Sequence, residues 1–213
     1  MRFIGGLLLI AIWVAPAAAQ HVTLGPELVV ADYREASASL RYSGVGPGGA
    51  GGFAFGRFSA EAALASISMT PKDGSQGTES FRATIIEGSV GLKALDYLTL
   101  QVGVTKRSAK SEFAAQSVGA VRLGVRTQYL LGPGATVWLQ GNYLAGAQFS
   151  GGGSAPIAME IGLGLEIRWS RYLRMGAQYS FQRLDRKTNP AGGPEVSVPI
   201  EQALARVRLA AAF

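Results

Sequence analysis

Cysteine is absent from the 213 residues, and histidine occurs once, at His21. Without thiols there can be no disulfide framework, and a single imidazole cannot complete a zinc centre. No closely spaced carboxylates follow a calcium-loop pattern, so neither a metal nor another cofactor is expected. The glycine-rich pieces Gly46–Gly52 and Gly151–Gly153 do not run into a helix carrying Lys-Ser or Lys-Thr, which excludes a phosphate loop. They read as loop or bend.

Long apolar runs are also scarce. The one example, Phe3 to Val14, follows Arg2 and precedes the small residues Ala17-Ala18-Ala19. At roughly 20 residues for a membrane span it is too short to cross a bilayer. A basic start, an apolar middle and an A-x-A site before Gln20 predict a cleaved export signal over residues 1–19. Residues 20–213 then form one domain. Lys and Arg number 20 and Asp and Glu 14, so losing Arg2 leaves a net charge of 20 − 1 − 14 = +5. No basic cluster with interleaved aromatics accompanies that charge. An exported chain of this kind is expected to meet an anionic membrane surface and no nucleic acid.

Mean hydropathy is nevertheless positive, at +0.20. Alternation reconciles that value with the lack of long runs. Met159, Ile161, Leu163, Leu165, Ile167 and Trp169 share one phase, with Glu160, Gly162, Gly164, Glu166 and Arg168 on the other. Leu173, Met175, Ala177, Tyr179 and Phe181 oppose Arg174, Gly176, Gln178, Ser180 and Gln182. The same period recurs at Leu98–Thr105 and Val121–Tyr129, and it is the signature of strands with one apolar face. A soluble sandwich alternates too. These segments are longer than its usual strands of about five or six residues, and their second face collects Gly, Gln, Arg and Glu.

Strands are expected near residues 22–33, 39–56, 58–69, 81–93, 97–107, 116–130, 135–147, 157–169, 172–185 and 200–213. The count is ten, or eight if the glycine-rich stretch 44–52 is a loop and one hairpin is lost. Short turns at Lys93–Tyr97, Leu130–Gly134 and Ser170–Tyr172 alternate with longer polar loops at Thr70–Ser80, Gln148–Pro156 and Arg186–Ser197. Phe58, Tyr97, Tyr129, Trp169, Tyr172 and Phe213 fall at the short-turn end, and Phe81, Phe149, Tyr179 and Phe181 near the long loops. Two aromatic girdles around an aliphatic band predict a closed antiparallel transmembrane β-barrel, since an open edge in lipid would leave backbone groups unpaired.

The final strand, ARVRLAAAF, carries a resemblance. Val207, Leu209 and Phe213 alternate and end on an aromatic, and Ala211 departs from the pattern where an aromatic is more usual. In this and in its barrel pattern the chain resembles the small outer-membrane β-barrel proteins of Gram-negative bacteria. The resemblance implies an outer-membrane location reached by export through the inner membrane, outer-membrane lipid around the barrel, and recognition of Val207, Leu209 and Phe213 by the barrel-assembly machinery. Two families with similar barrels are enzymes: omptin-like proteases use Asp and His at the outer rim, and barrel-type lipid A deacylases use a lipid-facing His–Ser pair. His21 falls at the periplasmic end, so no rim base is available.

The inward phase collects Glu61, Glu87, Glu160 and Glu166 with Arg107, Arg122, Arg126, Arg168, Arg174, Arg206 and Arg208. An eight-stranded barrel has an interior that side chains fill, whereas porin channels need about sixteen strands. A lumen mostly filled by these charged side chains is therefore expected. Arg168 and Arg174 should face each other across a tight turn with Glu166 between them, and Arg206 and Arg208 should find Glu160 and Glu61. Outer loops carry Arg34, Lys72, Lys106, Lys110, Arg186 and Lys187, candidates to contact phosphates of an outer-leaflet glycolipid. The functional expectation is a non-catalytic barrel, porin-like in architecture, with a structural or surface-interaction role. The alternatives are a narrow pore for small solutes and an outer-membrane enzyme with an unrecognised site.

Overall fold

The computed structural model describes residues 20–36, 39–189 and 193–213. The expected export signal, residues 1–19, lies outside the described residues. Ten strands follow one another: β1 (Gln20–Glu35), β2 (Leu40–Phe55), β3 (Phe58–Pro71), β4 (Phe81–Leu95), β5 (Leu98–Ala109), β6 (Val118–Gly132), β7 (Ala135–Phe149), β8 (Ser154–Arg168), β9 (Leu173–Thr188) and β10 (Val196–Ala212). Each pairs antiparallel with its neighbours in sequence, and β1 pairs with β10 to close the barrel. The closing seam runs to the last residue, where Val22 and Phe213 exchange backbone hydrogen bonds of 3.2 and 3.0 Å.

The eight-strand alternative is excluded, because the glycine-rich stretch lies within β2 and pairs along both edges. Glycine is needed there: a Cβ on Gly46 would sit 1.9 Å from the Ser66 carbonyl oxygen. Stepping across paired residues from Val22 through Phe53, Ala60, Val90, Val102, Leu123, Tyr143, Met159, Arg183 and Glu201 returns to β1 at Arg34. The offset is 34 − 22 = 12 residues. With a rise of about 3.3 Å and a strand spacing of about 4.8 Å, that stagger tilts the strands by about 40° and gives a backbone radius near 10 Å. The lumen is narrow enough for side chains from opposite walls to meet.

Turns on one side stay short, at residues 56–57, 96–97, 133–134 and 169–172. Loops on the other side include 72–80, 110–117 and 150–153, and the second of these contains a short 3-10 helix, Ser111–Gln116. Most of the expected loop Gln148–Pro156 is strand. Four residues suffice there because Gly152 and Gly153 adopt φ of 84° and 88°, a left-handed turn that favours glycine.

Exposure is inverted relative to a soluble protein. Leu100, Val104, Leu139, Ile161, Leu163 and Leu209 lie on the outer wall, each between 45% and 62% exposed. Such a surface is stable only in lipid, and the closed ladder leaves no strand edge facing it. Among the described residues no helix is long and apolar enough to cross a membrane; strands make the crossing. Phe58, Tyr97, Tyr129, Trp169, Tyr172 and Phe213 are all exposed at the short-turn end and form the expected girdle. The opposite girdle is corrected. Tyr143 faces outward there, but Tyr179 faces outward nearer the middle of β9, Phe149 is buried and Phe81 packs against the internal core.

A charge-paired lumen sealed at its outer end

Inside, the lumen divides into three levels. Toward the long loops it is apolar: Val29, Tyr33, Tyr42, Ile67, Ile85, Leu144, Leu184, Ile200 and Leu204 form one buried cluster. The 3-10 helix caps it. Its Phe113 stacks on Phe81 with ring centroids 4.2 Å apart, and both rings meet Tyr42 edge-on at 5.1 Å. The expectation of a lumen filled mostly by charge is corrected here, since the outer level is filled mostly by hydrocarbon. Water has little reason to enter such a cluster.

Two buried arginines fasten the cap. Arg107 donates to Gln202 Oε1 at 2.6 Å and to the Gln116 carbonyl at 3.0 Å, with its guanidinium 4.9 Å from the Tyr33 ring centroid. Arg186 donates to the Gly152 carbonyl at 2.7 Å and to Gln116 Oε1 at 3.2 Å, over the Phe149 ring. Arg186, expected in a solvated outer loop, is therefore inside the mouth and buried.

The middle level is ionic, and Glu160 on β8 is its centre. Its Oε1 accepts from Arg122, from Asn142 Nδ2 at 2.7 Å and from Gln140 Nε2 at 3.1 Å; its Oε2 accepts from Gln182 Nε2 at 2.5 Å. Glu61 holds Arg126 in a two-pronged pair, at 2.5 and 2.9 Å. Arg206 binds Glu87 at 2.8 Å, and Arg208 binds Glu27 at 2.6 Å. Nearer the short turns, Arg174 donates to Glu166 at 2.7 Å.

The sequence-expected partners are redistributed. Glu160 and Glu61 take Arg122 and Arg126, while Arg206 and Arg208 reach Glu87 and Glu27. Arg168 stands opposite Arg174 in register, but it is exposed and donates to the Pro133 carbonyl at 2.6 Å, outside the ionic network. A backbone acceptor in the neighbouring turn is closer to it than any carboxylate. Glu27 is the residue that sequence reasoning missed. Its phase opposite Leu24, Leu28 and Val30 was the available signal, blurred by Pro26 and by apolar Val29 and Ala31 on its own phase.

The third level is a cavity of about 390 Å³ open at the short-turn end. Arg126, Trp138, Glu61, Glu166 and Arg174 line it, and His21 sits at this end as well. Outside the barrel, Val207, Leu209 and Phe213 are exposed on the outer face of the closing strand. Of the outer basic residues, Lys72 pairs with Asp32 and Lys187 with Glu195, whereas Arg34, Lys106 and Lys110 are exposed.

Ten staggered antiparallel strands, an apolar outer wall and an aromatic girdle define an integral outer-membrane β-barrel. One solved structure agrees on the fold, and others are more distantly similar. The outer membrane protease OmpT from Escherichia coli superposes with a TM-score of 0.52 over 91% of this chain and 96% of its own, at 8% identity. An outer membrane channel from Pseudomonas putida F1 covers 94% and 97% with a TM-score of 0.47 at 11% identity. Neisserial surface protein A covers 88% and 95% with a TM-score of 0.39 at 9% identity. No protein-family model matches the sequence, and none of the curated proteins matches it either.

Proposed function

We propose that this chain is a non-catalytic outer-membrane barrel with a structural or surface-interaction role and a lumen that does not conduct. One observation carries the reading: Phe113 stacks on Phe81 over the apolar cluster toward the long loops. A mostly apolar plug opposes ion passage, because an ion entering it would lose its hydration where the few polar groups, Arg107, Arg186 and their partners, already bond one another. Catalysis has no support at the rim, since the single histidine lies at the opposite mouth. In planar bilayers the intact protein should show little steady conductance. A large, stable, ohmic conductance would overturn this reading.

A narrow diffusion pore is the second reading, and the cavity of about 390 Å³ rising from the short-turn end favours it. Conduction would then require the 3-10 helix to leave the outer mouth. Phe113→Ala should raise open probability if that step gates the barrel.

The surroundings proposed for the barrel are outer-membrane lipid, with outer-leaflet glycolipid phosphates near Arg34, Lys106 and Lys110. Each such cation near an anionic surface contributes about 1 kcal/mol. Val207, Leu209 and Phe213 are the proposed contact for the barrel-assembly machinery.

A further inference from the structure

We propose that the cavity at the short-turn end is a binding cup for a neutral, polyhydroxylated ligand of about disaccharide size, entering from the periplasm. Its volume of about 390 Å³ falls within the range of small-molecule sites, about 300–1,000 Å³.

Charge argues against an ionic occupant. Five arginines (122, 126, 174, 206 and 208) face five glutamates (27, 61, 87, 160 and 166), and each arginine already holds a carboxylate. An anion would have to displace a glutamate that its own strands hold in place. Two further cations line the mouth of the cavity: Lys93, which pairs with Asp96 at 3.0 Å, and Arg57.

Neutral groups are in the opposite condition. Thr23, Ser59, Thr99, Gln101, Thr136 and Gln178 line the cavity. Among the described residues, none of these six side chains hydrogen-bonds to the protein. Hydroxyls and carboxamides both donate and accept, which matches the double character of a sugar hydroxyl or an N-acetyl group. All six are mounted on strands, so their positions are fixed before a ligand arrives, and little ordering is required on binding.

Trp138 completes the wall. A side chain on Gly164 would bring its Cβ within 2.3 Å of the indole, so the ring lies flat against the backbone of β8. Arg126 stands 4.8 Å from its centroid. The indole N–H makes no hydrogen bond to another described residue and is a further donor at the cavity wall.

The reading needs the outer seal only to make the cavity a dead end, and binding is measured separately from conductance. The test is calorimetric titration of the full-length protein, purified from membranes in detergent, with N,N′-diacetylchitobiose, maltose and sodium succinate. Saturable one-to-one binding of a neutral disaccharide at millimolar concentration or below is expected, with succinate inert. Binding of the N-acetylated sugar alone would indicate a cell-wall glycan source, and binding of both a general sugar site; either supports the proposal. Gln178→Ala and Gln101→Ala should each weaken binding about tenfold, the cost of one lost hydrogen bond of about 1.4 kcal/mol. Glu195→Gln, in an outer loop, should leave it unchanged. No saturable binding of either sugar by correctly folded, heat-modifiable protein would overturn the proposal. So would unchanged affinity in both glutamine variants, or succinate binding as tightly as the sugars.

Discussion

Glu160→Gln is the sharpest test of the lumen. Glu160 is 2% exposed and accepts four hydrogen bonds, two of its donors being the amides of Gln140 and Asn142 and a third the amide of Gln182. Its partner Arg122 has a side chain only 12% exposed. A glutamine there keeps the shape but loses the charge, and one of its two terminal atoms becomes a donor. Turned one way, its nitrogen faces the donors Arg122, Asn142 and Gln140; turned the other, Gln182 must flip its amide to accept from it. Arg122 would also be left buried without its counter-ion. Removing one partner of a buried pair costs about 3–5 kcal/mol, which is the loss expected here. Glu166→Gln is the internal control. Glu166 pairs with Arg174 in the open cavity at 42% side-chain exposure, where solvent screens the interaction and the expected cost is about 0–1 kcal/mol. Urea titration in lipid vesicles, followed by tryptophan emission and by heat modifiability, measures both. Equal losses for the two variants, or a Glu160→Gln loss below about 1 kcal/mol, would refute the assignment of Glu160 as the buried centre.

Other outcomes follow from the same geometry. Leu163→Arg puts a charge on the lipid face and should cost about 2–4 kcal/mol in vesicle unfolding; Leu163 is 54% exposed on that face. Gly162→Ser should be milder, because the nearest atoms to the new Cβ, at 3.0 Å, are side-chain atoms of Gln140 and not backbone or a rigid ring. Gly164→Ala should be worse than Gly162→Ser, since its new methyl meets the rigid Trp138 ring at 2.3 Å, and near-ultraviolet circular dichroism should show the indole displaced. Glu195→Gln breaks only an exposed pair with Lys187 and should leave the urea midpoint unchanged.

Much of this barrel was legible in the chain because one strand carries its own two-faced pattern. Leu163 and Gly162 sit on opposite faces for a reason local to β8, the period-2 geometry of an extended chain. The girdle at Tyr97, Tyr129, Trp169 and Tyr172 was legible on the same ground, each ring falling beside a short turn. Where alternation lapses, the sequence was ambiguous. Val29 and Val30, or Ile85 and Ile86, are apolar on both phases, and only the fold shows that Val29 and Ile85 enter a sealed core while Val30 and Ile86 face lipid. The glycines of β2 were equally silent, as a residue without a side chain has no phase to read.

Strand pattern, membrane-facing phase and the alternation of short turns with longer loops were thus determined by the sequence alone, since each depends on residues within a few positions of one another. Which charges meet was decided by tertiary structure. Arg208 lies 181 residues from Glu27, and Arg126 lies 65 from Glu61. Closure of β1 on β10 and a stagger of 12 residues bring these pairs together, and a one-residue change of register would turn every partner to the other face. The same closure brings Phe113 onto Phe81 over the apolar cluster. Shear and seam belong to no single strand, so no stretch of the chain records them.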